Sequence, residues 1–272
     1  MVSEGRYSRN ELLFGKEGQD RLRATTVTIV GLGGLGSHVS QQLAYLGVES
    51  FGLIDFDVVT DSSLNRLVGA VNADILHETK KTEVARRTIG GINPRATVDI
   101  VNGRVAAAEA EPLLAAADVI FGCVDRDVHR LDLLDAGAKH HKVIVDLATD
   151  VGGSEALWYG GRVVFCNGSG CLVCLDLLDQ EAISLDRMSP DEREGDRRIY
   201  GIDRRHLDRA GPSVVSINGV VASLAVSEFM VYVTGLREPI VQLTYRGDQG
   251  TVTRSLDLGD PDCFYCSQVR AR

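Results

Sequence analysis

Three groups of residues in this chain have types and spacings suited to chemistry. The first lies in TVTIVGLGGLGSHVSQQLAYLGVESFGLIDFDVV, Thr26 to Val59, where Gly31, Gly33 and Gly36 form G-x-G-x-x-G between a β-rich run and an amphipathic one. In such a turn the first glycine permits the bend and the second lets backbone approach a phosphate. The third lets the helix pack closely on the strand, with helix N–H groups and the dipole facing the anion. Asp55 ends the next apolar run, about 20 residues on, where an acid accepts hydrogen bonds from ribose hydroxyls. A tight strand–helix turn with no ligand is the alternative, and the flanking strand, helix and acid weigh against it.

The second group separates two uses of a nucleotide. After Asp55 come Asp57 and TDSSLNR, Thr60 to Arg66, then Lys81, and later Asp125 at the end of DVIFGCVD. Hydride transfer needs no cluster of polar and cationic groups here. Cleavage between the α- and β-phosphates of ATP does, because negative charge builds on the departing pyrophosphate. Arg66 and Lys81 are suitable cations, and Asp125 ends a strand where open α/β sheets bind ligands and where a carboxylate oxygen suits Mg²⁺. Taken singly, Arg66 reads as a surface residue, Lys81 as a helix-face charge and Asp125 as an N-cap for the helix from Val128. Taken together at strand ends, they read as an active site.

The third group is sulfur. CLVC supplies Cys171 and Cys174, and CFYC supplies Cys263 and Cys266. A two-residue gap lets both thiolates reach one ion at about 2.3 Å, so two such knuckles suit tetrahedral Zn²⁺. The knuckles lie far apart in sequence, so the site would staple the C-terminal tail to the rest of the chain. Four thiolates leave no open position for water, which makes the site structural. A redox pair and unrelated core cysteines are the alternatives. Cys123 lies in an apolar strand and is expected to be buried, and Cys166, which ends an apolar run, is expected to be structural too.

The elements that must position these groups alternate. Asn10–Arg23 reads as a short helix in a polar lead-in, Val27–Val30 as a strand, Ser37–Leu46 as a helix and Ser50–Ile54 as a strand. Lys80–Ile89 is helical in composition, TVDIVNGRV alternates as a strand does, AEAEPLLAAA is a helix, and DVIFGCVD is an apolar strand. Val128–Ala138 and KVIVDLATD follow as helix and strand. This β-α alternation predicts a doubly wound, mostly parallel sheet. Beyond Gly152, ALWYGGRVVFCNG reads as a hairpin and Ser184–Asp208, dense in Asp, Glu and Arg, as a long loop. Pro212–Thr234 reads as a helix too interrupted and polar to span a membrane, packing in the core or at a subunit interface. PIVQLTYRG and TVTRSLDLG read as a closing hairpin.

Composition narrows the classes. Over 272 residues, 44% apolar and 25% charged, the chain is ordinary for a soluble globular protein. Its formal charge of −9 argues against broad nucleic-acid or anionic-membrane binding. No run approaches a spanning length and the N-terminus has no apolar signal core, so a cytoplasmic location is expected. In that compartment the cysteines are thiols or metal ligands, not a disulfide framework.

GLGGLGS, LIDFDVVTDSSLNR, the lysine helix leading to INP, CVDRDVHR, CLVC with CFYC, and GPSVVSINGVVASLAVSEFM occur in that order. Together they resemble the ThiF/MoeB/HesA family, relatives of the adenylation domain of ubiquitin-activating enzymes, over nearly the whole chain. The resemblance implies a Rossmann-like α/β fold with a C-terminal antiparallel extension and a zinc-stapled tail. It implies an N-terminal arm, residues 1–25, and one adenylation domain, 26–272, with a nucleotide-binding core at 26–152 and a carrier-binding and zinc portion at 153–272. It implies an enzyme that uses ATP and Mg²⁺ to adenylate the C-terminal glycine of a small β-grasp carrier, ubiquitin-like or sulfur-carrying, and hands it to a conjugating or sulfur-transfer enzyme. On that basis Gly31, Gly33, Gly34 and Gly36 line the ATP loop and Asp55 takes the ribose. Asp57, Ser62, Asn65 and Arg66 lie near the nucleotide, Lys81 contacts phosphate and Asp125 binds Mg²⁺. RYSRN resembles the family's lead-in, so Arg9 becomes a candidate to reach across a homodimer into the partner's phosphate site.

Three departures qualify the resemblance. The family's Ser-Asn-Leu-x-Arg is here Ser62-Ser63-Leu64-Asn65-Arg66, and its Asp-Asn pair is Asp125-Arg126. Residues 196–211 hold no cysteine where many members carry one for thioester or persulfide chemistry, so activation without a covalent enzyme thioester is expected. The rival readings are an NAD-dependent oxidoreductase, an enzyme adenylating an amino acid, peptide or tRNA base, and a non-catalytic subunit of a heterodimer.

Overall fold

A computed structural model describes residues 5–152, 157–188, 213–257 and 259–271. The first half of the chain alternates as its patterning predicts. Helix α1 (Ser8–Ala24) precedes β1 (Thr26–Val30), α2 (Gly34–Leu46) and β2 (Ser50–Ile54). Then come α3 (Asn72–Leu76), α4 (Lys81–Ile92), β3 (Thr97–Val101), α5 (Glu111–Ala116), β4 (Val119–Gly122), α6 (Asp127–His140) and β5 (Val143–Gly152). The remainder holds β6 (Trp158–Cys166), α7 (Gln180–Arg187), α8 (Val215–Thr234), β7 (Gln242–Arg246), β8 (Thr251–Arg254) and α9 (Phe264–Arg270).

The eight strands form one sheet in the order β3-β2-β1-β4-β5-β6-β7-β8. Pairings from β3 to β5 are parallel, and those from β5 to β8 antiparallel. Strands β1, β2 and β4 are apolar almost throughout because both of their faces are covered. On one face, Val27, Ile29 and Phe121 meet Val39 and Leu43 of α2 and Ala225 and Phe229 of α8. On the other, Val30, Ile54 and Ile120 meet Leu114 of α5 and Leu133 and Leu134 of α6. Helix α2 stops at Gly47, whose left-handed backbone (φ 94°) lets its N–H return to the carbonyls of Leu43 and Ala44.

Several boundaries differ from the sequence reading for identifiable reasons. Helix α1 breaks at Gly15, which has φ 71° and ψ 172°. ALWYGGRVVFCNG is not a hairpin in itself: its residues 158–166 are one strand, the returning arm of a hairpin with β5. The loop expected at Ser184–Asp208 begins inside α7, which Asp179 caps by accepting from the Ala182 N–H at 3.0 Å. Residues 189–208 of that loop lie outside the described residues.

Helix α8 is also less interrupted than its glycine and serines suggest. Ser223 and Ser227 return their hydroxyls to carbonyls four residues back, at 2.8 and 2.7 Å. Among the described residues it is the one helix long and apolar enough to cross a membrane by length and composition alone. In the fold it lies on the sheet with Val221, Ala222, Ala225 and Phe229 fully buried. Its buried Glu228 is paired with Arg237 at 2.6 and 2.8 Å.

Candidate active site

The glycine loop follows β1 and opens α2, and its glycines serve different needs. Gly31 has φ 86°, and a Cβ there would lie 2.6 Å from the Cys123 carbonyl oxygen. The close approach fixes the loop beside the end of β4. A Cβ on Gly36 would run into the Gly31 carbonyl oxygen, so helix and strand meet here at backbone distance. Gly34 lies against the Asn218 side chain of α8, a packing contact that its position in the motif does not reveal. Only Gly33 faces open space, with no atom within 4 Å of the direction a side chain would take. The opening gives a phosphate group access to the loop backbone at the N-terminus of a 13-residue helix.

Asp55 ties this loop to the end of β2. Its carboxylate accepts from the Leu32 N–H at 2.6 Å and from the Asp57 N–H at 2.8 Å. Burial pushes its titration upward, against the pull of Lys81 and of these two N–H groups. Asp57 in turn takes the Lys81 ammonium at 2.6 Å. Lys81 begins α4, where its N–H also donates to the Asp57 carbonyl at 3.1 Å. One continuous set of contacts therefore runs from Lys81 through Asp57 and Asp55 to the glycine loop.

Arg66 arrives by another route. A short 3₁₀ turn at Asp61–Ser63 is closed by Thr60 and Ser63, whose hydroxyls lie 3.0 Å apart. Ser63, which stands where the family has an amide, is buried in that turn. Ser62 and Asn65 remain exposed and receive the Arg66 guanidinium, at the Ser62 carbonyl and, at 3.2 Å, at the Asn65 amide oxygen. Two residues on, the Val68 N–H donates to Ser37 Oγ in the first turn of α2, at 3.1 Å. The turn carrying Arg66 is thus tied to the helix that the glycine loop opens.

Asp125 comes from the third side. The Cys123 N–H continues the β1–β4 ladder to the Val30 carbonyl at 2.8 Å, and the chain then passes Gly31. Asp125 is exposed, and the alternative of a helix cap does not hold for it: Arg126 occupies that position, with no side-chain capping bond. Arg126 itself reaches Asp186 of α7. Arg9 is not brought to this place. Tyr7 packs on Gly47 at the C-terminal end of α2, and α2 is about 20 Å long, so Arg9, two residues on, stands far from the glycine loop of its own chain. Sequence reasoning missed Arg130, a buried residue near this edge. Its position on the α6 stripe that also carries Leu133, Leu134 and Gly137 is the signal that could have found it.

The four knuckle cysteines meet at the far side of the sheet. Their sulfurs all lie within 4.8 Å of one another, with Cys171–Cys174 at 3.7 Å, Cys171–Cys263 at 3.6 Å and Cys174–Cys266 at 3.8 Å. A disulfide requires about 2.05 Å, whereas a tetrahedron with 2.3 Å metal–sulfur bonds has edges of about 3.8 Å. The set therefore has the dimensions of a four-thiolate metal site. A hydrogen bond from Cys266 pulls the Cys171 thiol below the ordinary thiol range. Cys123 is only half-buried, not buried as expected, whereas Cys166 is buried; loss of solvent pushes both thiols the other way, above the ordinary thiol range.

Residues 7–263 match the model of the ThiF family. The chain is 36% identical over 269 residues to the molybdopterin-synthase adenylyltransferase of Escherichia coli K12, covering 97% of this chain and 96% of that one. It is 28% identical over 267 residues to the sulfur carrier protein ThiS adenylyltransferase of the same organism, covering 95% and 94%. Its fold resembles that of E. coli MccB, solved with ATP, at a TM-score of 0.71 and 21% identity over 98% of this chain and 75% of that one. Matched over nearly its whole length, the chain belongs to the ThiF family and is an ATP-dependent adenylyltransferase.

Proposed function

We propose that this enzyme adenylates the C-terminal glycine carboxylate of a small β-grasp protein, of the ubiquitin-like or sulfur-carrier kind, and does so without a loop-cysteine thioester. What carries the reading is the convergence of three separately anchored segments, bearing Arg66, Lys81 and Asp125, on one glycine loop. The name of the ThiS adenylyltransferase, a protein that acts on a sulfur carrier, supports the substrate class.

In the reaction the carrier's terminal carboxylate oxygen attacks the α-phosphorus of ATP. The new acyl–phosphate bond forms as the bond to the β-phosphate oxygen breaks, and pyrophosphate leaves with its electron pair. The Gly33 side of the loop admits the phosphates to backbone N–H groups, and the α2 N-terminus faces them. Arg66 and Lys81 exchange their present oxygen partners for phosphate oxygens and offset the developing charge. The exposed Asp125 carboxylate fits a magnesium ligand, and the ion when bound supplies further positive charge at the phosphates. Asp55 keeps the loop in register while presenting its carboxylate edge to the ribose.

Neither remaining cysteine suits a covalent role. A thiolate is the reactive form, and burial disfavours it at both Cys123 and Cys166. The four knuckle cysteines fit structural zinc, which when bound fixes α9 to the loop after β6. A homodimer would bring Arg9 of one protomer to the glycine loop of its partner, in keeping with its distance from its own. In this reading the enzyme works in the cytoplasm.

The test is ATP–pyrophosphate exchange dependent on a candidate carrier ending in Gly-Gly. Arg66→Ala and Lys81→Ala are each expected to lower the exchange rate by roughly 10²–10³. Full exchange without any carrier, or undiminished exchange in both variants, would remove the proposed chemistry.

A further inference from the structure

Next to the site lies a buried group of charges that the chemistry above does not use. Asp146, paired in register with Gly122, is 1% exposed, and among the described residues neither of its carboxylate oxygens has a hydrogen-bond partner. Its ion-pair partner is Arg130, whose Nε stands 3.3 Å from Oδ1. Burying an ion is costly unless its partners compensate, so a buried aspartate with no hydrogen bonds calls for an account.

Arg130 supplies one. Its Nη2 donates to the carbonyl of Val124 at 2.8 Å, and its Nη1 to the carboxylate of Asp127 at 2.6 Å. One guanidinium therefore grips the residue before Asp125 and the second residue after it. Asp125 itself is left exposed, its carboxylate without a hydrogen bond or ion pair among the described residues. The other Asp127 oxygen accepts from the Asp179 N–H at 2.8 Å, so the grip is anchored from both sides. Arg162 of β6, a second cation close to Asp146, donates to the Leu177 carbonyl at 3.3 Å.

We propose that Asp146 is a positioning residue: it holds the Arg130 guanidinium in the orientation that spans Val124 and Asp127, and so fixes the direction in which Asp125 presents its carboxylate. Arginine keeps its proton throughout the accessible range. Without the Asp146 charge, Arg130 and Arg162 lose the anion they share, and Arg130 is free to turn from the loop. Groups behind a metal ligand set its orientation in this way, and their loss weakens metal affinity by about 10- to 100-fold.

The proposal rests on the magnesium reading of Asp125, and the experiment separates the two. ATP affinity is measured by calorimetry with Mg²⁺ and again with EDTA, and the ratio gives the gain due to the metal. Asp125→Asn is expected to abolish the gain. Asp146→Asn is expected to cut it by about tenfold and to leave the EDTA affinity unchanged. Arg130→Lys keeps the charge but cannot span both loop contacts, so it is expected to match Asp146→Asn and serves if the latter does not fold. A gain lost in Asp125→Asn but kept in either folded variant overturns the proposal alone. A gain kept in Asp125→Asn overturns the magnesium reading and the proposal with it. Equal loss of affinity with and without Mg²⁺ in Asp146→Asn assigns Asp146 a merely structural role and also overturns the proposal.

Discussion

The glycines of the nucleotide loop show how four residues of one type can be kept for different reasons. Gly36 is excluded from carrying a side chain by the Gly31 carbonyl, and Gly33 by nothing in the protein itself. The two alanine variants should therefore behave differently. Gly36→Ala forces helix and strand apart and is expected to cost about 1–3 kcal/mol of stability, as overpacking does. Gly33→Ala meets no clash but replaces the N-cap of α2, so it is expected to cost only about 1 kcal/mol, yet to lose ATP binding because the new methyl group occupies the phosphate approach. Denaturant unfolding paired with ATP titration checks both, and an undiminished ATP affinity in Gly33→Ala would place the phosphates elsewhere. The G-x-G-x-x-G spacing marks this loop in the sequence. It does not say which glycine is spoken for by the protein and which by the ligand, because that depends on Asn218, about 180 residues away.

At the scale of elements, the segment between Arg66 and Lys81 is held by α3 and α4. Asp74 of α3 caps its own helix through the Val71 N–H at 2.8 Å and receives Arg87 of α4 at two 2.8 Å contacts. The Arg87 guanidinium holds the Asp74 carboxyl down to about 2, below the usual 3.8. A carboxylate whose folded value is lowered stabilises the protein fully above its unfolded value, and that stability is lost as pH falls through the folded one. Unfolding free energy should thus decline between about pH 4 and pH 2. Asp74→Asn should flatten this part of the profile and cost about 1.5–3 kcal/mol at neutral pH, the range for hydrogen bonds to a charged group. Urea unfolding across that pH range checks it, and an unchanged slope in the variant would refute the assignment. Nothing in the pattern of NADILHETKK announces this clamp. Most of the helices and strands around it are legible from apolar spacing, since spacing reports which face is covered. Pairing between two polar side chains on different helices has no such period.

For the whole molecule, the Cys₄ cluster joins the C-terminal tail to the loop after β6. Helix α9 also packs Tyr265 and Val269 against the apolar core and makes polar contacts, including Tyr265 to Asp135 at 2.9 Å and His141 to the Gln268 carbonyl at 2.7 Å. Elemental analysis is expected to find about one zinc per chain. Chelation, or Cys171→Ser, should lower the melting temperature and release the amides of α9 to hydrogen exchange before those of β1 and β4. A metal-free protein with unchanged exchange in α9 would show that the thiols pack without an ion.

What the linear order of residues determined about this protein is therefore considerable. It specified the parallel half of the sheet, the nucleotide turn with its acid, and the two knuckles, because each is written in local spacing or alternation. The meeting of the knuckles, the curling of Arg66 onto its own turn, the distance of Arg9 from its own loop and the buried grip of Asp146 and Arg130 were decided only by the tertiary structure. The grip of Asp146 on Arg130 and the meeting of the knuckles depend on which residues become neighbours when β4, β5 and β6 pair. That pairing is driven by burial of apolar surface, which selects the layers of the fold but carries no record, in any short stretch of chain, of which polar groups it will bring together.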